Sequence, residues 1–146
     1  MAFDVRRSFD EVRREDHLAD QGLRVAELAL WSASADGVVE GHELAGIVKT
    51  IRQVPGLSDF DTADAQELLV EMALLGSDEQ VSARLERLAD GIHDDGLRRA
   101  AFQLAVYCAS SDGHFSESEI ALLRWLAGRF DIPPARATEF IREVIS

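Results

Sequence analysis

Two short stretches carry the residue types best suited to chemistry. Residues 36–43 read Asp-Gly-Val-Val-Glu-Gly-His-Glu, and residues 112–119 read Asp-Gly-His-Phe-Ser-Glu-Ser-Glu. In each, an Asp-Gly pair is followed by an apolar residue, Val39 or Phe115, and closed by Glu43 or Glu119. Asp-Gly-x-apolar-x-x-x-Glu coincides with the second half of an EF-hand calcium loop, where Asp and the final Glu give oxygen ligands and glycine makes the bend. The first half is missing. Its acidic positions are held by Ser32 and Ser34 in one stretch and by Cys108 and Ser110 in the other. Those residues belong to helical, apolar runs, so a true EF-hand is excluded. Asp36, Glu43, Asp112 and Glu119, with Glu40 and Glu117 nearby, could still hold calcium or magnesium weakly. With water completing the shell, such a site falls at about 10⁻⁴–10⁻³ M. His42 and His114 place imidazole beside carboxylate, a donor set that admits zinc. A dedicated zinc site is not expected, because no His-x-x-x-His pair or cysteine cluster is present. If the turns converge in space, one shared cation site replaces two.

The same residues have a purely architectural reading. Glycine can take the left-handed conformation that ends a helix. Ser116 with Glu119 three residues on is a capping box, and Glu40 with Glu43 occupies the same two places in the first stretch. Acidic side chains there also face the positive end of the helix dipole. Residue types alone leave both readings open.

The two turns sit inside an internal repeat. Residues 28–44, LALWSASADGVVEGHEL, align without a gap to 104–120, LAVYCASSDGHFSESEI, with seven of 17 positions identical. Chance gives roughly one. A duplicated unit follows: a buried helix, an acidic turn and a capped amphipathic helix.

The elements that must position these turns are all predicted to be helices, since no stretch alternates with strand period. A charged amphipathic helix is expected over about 4–16 and a second over about 18–35. A third starts near Gly41 and stops before Pro55-Gly56. A fourth covers about 61–75, capped by Asp61 or Thr62. Ser77 and Gln80 read as a capping box opening a fifth, which ends near Gly91. The sixth covers about 96–111. The seventh opens at Ser116 and ends near Gly128 or Phe130. The last opens on Pro133-Pro134. Residues 25–35 and 100–109 are small and apolar on most sides, which places them in the middle of a bundle. They are expected to pack together about a pseudo-twofold axis. Leu68, Leu69, Met72 and Leu75 form one wrapping stripe, and Ile120, Leu123, Leu126 and Ala127 another. Glu27, alone on an apolar helix and matched by Gln103, is expected to make a polar contact to the facing turn.

Composition narrows the function classes. A net charge of -12, from 27 acids against 15 bases, argues against nucleic acid, which needs a basic footprint. It also disfavours anionic membrane surfaces. No run is long and apolar enough to insert in a membrane, and the N-terminus has no signal-peptide h-region, so a cytoplasmic protein is expected. Cys108 is the single cysteine and is expected to be a small buried residue. His17 and His93 are expected at solvent-facing helix ends. No nucleophile–base spacing and no phosphate loop appears, so the chain is not expected to be an enzyme.

The doubled motif, Ala35-Asp36-Gly37-Val38-Val39…Glu43 and Ser111-Asp112-Gly113-His114-Phe115…Glu119, resembles the TerB-like tellurite-resistance family. The buried LALWSASADG and LAVYCASSDG helices and the segment RWLAGRFDIP, residues 124–133, are similar to that family too. The resemblance covers roughly residues 20–146. It implies an all-α bundle of about seven or eight helices in a single domain over 1–146, with repeat one at about 18–75, repeat two at about 94–146 and an N-terminal helix over 1–16. It implies a role in resistance to tellurite and related stress through association with other proteins, and a divalent cation at Asp36, Glu43, Asp112 and Glu119. Gly41, His42, His114 and Ser118 depart from the family's usual acidity at these turns.

Overall fold

The computed structural model describes residues 17–35, 41–54, 57–110 and 115–145. Seven helices are present among them: α1 His17–Ala33, α2 Gly41–Ile51, α3 Thr62–Ala73, α4 Asp78–Asp90, α5 Asp95–Ala109, α6 Glu117–Arg129 and α7 Pro134–Ile145. No strand occurs among the described residues. The helix expected over 4–16 lies outside them.

Helix starts follow local chemistry. Asp61 caps α3 and forms a reciprocal box with Asp64, at 2.9 and 3.0 Å. Ser77 caps α4 by accepting from the Gln80 N–H. The Gln80 side chain does not return to Ser77, as the expected box requires; it accepts from the N–H of Gly76, one residue earlier. Asp94 caps α5 by accepting from the Leu97 N–H at 2.9 Å. Pro134 opens α7, where its missing N–H costs nothing. Of the two ends the sequence offers for α6, Gly128 and Phe130, the structure takes Phe130. Gly128 remains helical, and Asp131 takes the left-handed turn at φ 57°. The Ile132 N–H then reaches back to the Ala127 carbonyl at 2.9 Å, with Asp131 to Gly128 inside it. This is a Schellman ending, with Ile132 buried as its apolar latch.

Packing places α1 and α5 at the centre. Their mutual contact is the most extensive among the described helices, and α1 also touches α2, α3, α4 and α6. On α5, Phe102, Leu104, Ala105, Val106 and Cys108 are all fully buried. On α1, Val25, Ala26, Ala29 and Leu30 are buried on successive faces, as the all-round apolar pattern requires. Its serines are satisfied internally: Ser32 donates to the Leu28 carbonyl and Ser34 to that of Leu30. The helix that follows each central one packs on it, α2 on α1 and α6 on α5.

The amphipathic helices turn their stripes inward, with one exception. Leu44, Ile47, Val48 and Ile51 bury the inner face of α2. On α3, Met72 is buried, and Leu68 and Leu69 pack partly against the core. On α6, Leu123, Leu126 and Ala127 are buried, but Ile120 is exposed at 36%. Glu119, its neighbour, holds the inward position instead.

Candidate functional site

The second acidic turn is described from Phe115 onward. Phe115 packs partly against the core and fixes the approach to α6. Ser116 has extended backbone, φ -79° and ψ 165°, and its hydroxyl accepts from the Glu119 N–H at 3.1 Å. The Glu119 carboxylate returns to accept from the Ser116 N–H at 2.6 Å. The two N–H groups would otherwise be orphaned at the helix start. Glu119 is only 3% exposed, so its carboxylate is buried, and one of its oxygens is held by the cap. Glu117 is exposed and faces solvent. In the first stretch, Glu43 lies in the first turn of α2 and is half-buried. Asp36, Glu40, Asp112 and His114 lie outside the described residues, as does the His42 side chain. Among the described residues, no three His, Cys, Asp or Glu side chains gather where they could hold a metal ion.

A polar cluster that sequence reasoning had aimed elsewhere lies between α1 and α4. Glu27 is 3% exposed, and its partners among the described residues are on α1 and α4. It receives both arms of Arg84, Nε at 2.9 Å and a terminal nitrogen at 2.5 Å, and the Trp31 indole N–H at 3.1 Å. The carboxylate bond holds the Arg84 guanidinium protonated above its ordinary value, against the opposing effect of burial. The signal was in the helical phase. Leu85, Leu88 and Ala89 form the inward stripe of α4, and Arg84 shares that face. A lone base on one inward face and a lone acid on another have each other as the means of burying charge.

A trough runs beside this pair. Its larger part, about 600 Å³, is lined by Leu23, Arg24, Glu27, Leu68, Arg84 and Arg87 among others. A second part, about 330 Å³, shares Leu23 and Leu68 and is walled by Asp59, Asp64, Glu67 and Glu71.

Nothing in these surroundings activates Cys108. It is fully buried in α5, and burial pushes its thiol up to about 12. At neutral pH it stays protonated, which suits a packed core residue and not a nucleophile. No helix among the described residues is long and apolar enough to cross a membrane.

An all-helical bundle with two buried central helices, each followed by an amphipathic helix, defines the class of protein. The family model described as tellurite resistance protein TerB matches residues 22–142, most of the chain. The chain belongs to the TerB family. Neither a curated protein nor a solved structure matches it.

Proposed function

We propose that this chain serves in resistance to tellurite and related stress as a non-catalytic module that associates with other proteins, its Asp-Gly…Glu turns acting as helix caps. Family membership over residues 22–142 supports the role. The cap reading rests on one observation, the reciprocal Ser116–Glu119 box, in which a buried carboxylate already spends an oxygen on a backbone N–H. A cation there would also sit against the positive end of α6. Association with a protein suits Val70 on α3 and Leu74, which caps that helix, apolar residues that are 58% and 76% exposed.

The test is a titration of calcium, magnesium and zinc to millimolar concentration, followed by amide shifts. The cap reading expects no shift confined to Glu43, Ser116, Glu117 and Glu119. Shifts confined to both turns, and abolished by Asp36→Ala with Asp112→Ala, would overturn it and establish a weak divalent site. Survival of cells on tellurite, with and without the chain, tests the role itself.

A further inference from the structure

The trough beside the Glu27–Arg84 pair is the gap between two helices. Both α3 and α4 pack on α1, and they have little contact with each other. The face of α1 between them carries Leu23, which is 56% exposed although it belongs to a central helix. Leu68 of α3 and Leu88 of α4 flank it, so the floor is apolar. The walls differ in charge. The α4 side carries Arg84 and Arg87, with Arg24 of α1 beside them. Glu27 neutralises Arg84, and Arg87, three residues on, is exposed. The α3 side carries Glu67 and Glu71, with Asp59 from the loop before it. The walls draw together at Glu71 and Arg84, which share a smaller hollow with Met72 and Leu75.

Shape and charge together select the occupant. A small-molecule pocket is mostly apolar with a few placed polar groups. This trough instead has charged side chains along both walls and an apolar strip between them. On α3 its lining runs from Asp64 to Leu75, about 16 Å along the helix axis, or three turns. An amphipathic helix fits that form, because its apolar stripe lies along the floor and its edges meet the walls. Edge charges then set which helix is accepted, as they do beside the seam of a coiled coil. Acids belong on the edge toward the arginines and bases on the edge toward the carboxylates. A second copy of the chain is a poor occupant, since two molecules of net charge -12 repel.

We propose that the trough binds an amphipathic helix of another protein, with its apolar stripe on Leu23 and Leu68. Its acidic edge faces Arg24 and Arg87, and its basic edge faces Glu67 and Glu71. The inference rests on the reading of the chain as a module that associates with other proteins, and it names the surface and the partner's chemistry. Val70 and Leu74 do not line the trough, so the two surfaces can be told apart. A bound helix also shields the Arg84 side chain, 36% exposed, from water.

The experiment titrates the full chain with three synthetic helical peptides that share one leucine stripe and differ in their edges. One has glutamate along one edge and lysine along the other, one has glutamate along both, and one has lysine along both. The mixed peptide should shift the Leu23, Leu68 and Leu88 methyls and bind about tenfold tighter than either uniform one. Leu23→Asp should weaken it by about tenfold while leaving the α5 amides unshifted. Glu67→Lys with Glu71→Lys should transfer the preference to the glutamate-edged peptide. Unmoved methyls, an affinity indifferent to edge charge, or a preference that does not follow Glu67 and Glu71 overturns the proposal. Shifts confined to Val70 and Leu74 overturn it and leave association in place. So does survival on tellurite that needs the chain yet is kept by Leu23→Asp. A dimer in sedimentation that Glu67→Lys dissolves would make a second copy the occupant, and binding seen only after Phe9→Asp would make it the chain's own first residues; either result overturns the proposal.

Discussion

Replacing Arg84 by methionine tests the central polar contact directly. The substitution keeps an apolar stem of similar length and removes both donors to Glu27. That leaves a carboxylate 3% exposed with the Trp31 N–H as its remaining partner in the cluster. Breaking a fully buried pair from one side costs about 3–5 kcal/mol. Here the Arg84 side chain is 36% exposed and borders the trough, so water can approach the vacated place. The expected loss therefore falls below that range, at about 2–3 kcal/mol. For a chain of this size that lowers Tm by roughly 5–10 °C. Urea unfolding followed by tryptophan fluorescence gives the change in midpoint at constant slope. The double variant Glu27→Leu with Arg84→Met should recover most of the loss, because no charge is left buried. A single Arg84→Met variant within about 0.5 kcal/mol of the parent would refute the reasoning. It would mean that water, not arginine, satisfies Glu27.

Two further outcomes are expected. Ser116→Ala should cost about 1 kcal/mol in thermal unfolding, and Glu119→Gln less, since glutamine can close the same box; equal stability of Ser116→Ala and the parent would remove the cap. Cys108 should make stability fall with alkali. Its folded-state thiol ionises near 12 against an ordinary 9.0, so between those values the unfolded chain holds fewer protons and is favoured as pH rises. The contribution is whole below pH 9 and is lost on the way to 12, by about 1 kcal/mol from pH 9 to 10. Comparing midpoints with Cys108→Ala over that interval isolates it, and parallel profiles would contradict it.

Much of this architecture is legible in the sequence, because helix boundaries are local events. Asp61, Ser77, Ser116 and Pro134 announce their helices through groups a few residues away. The all-round apolar character of residues 25–35 and 100–109 implies a central pair, and α1 and α5 are that pair. What escaped depends on distance or on competition. Glu27 and Arg84 are 57 residues apart, and no local pattern joins them. Gln80 had two neighbouring N–H groups to choose from and took the earlier one. Ile120 and Glu119 compete for one inward position, and the capping bond gives it to the acid. Between the two ends offered for α6, Phe130 is the cap and not Gly128, because the left-handed turn falls at Asp131. Of the candidate metal residues, the structure describes the Glu43, Glu117 and Glu119 side chains, and among the described residues no cluster of ligands gathers around them.

The pairing of α1 with α5 also sets a schedule for the growing chain. Leu28 and Leu104, matched residues on the two helices, are separated by 76 positions. A ribosome adding about 5–20 residues per second needs roughly 4–15 s to cover that interval. Throughout it, α1 is synthesised without the surface that buries most of its apolar sides. Contacts so far apart in sequence also slow the search once the chain is free. The nascent protein is thus most open to capture or aggregation midway through its synthesis, and emergence of α5 ends that exposure.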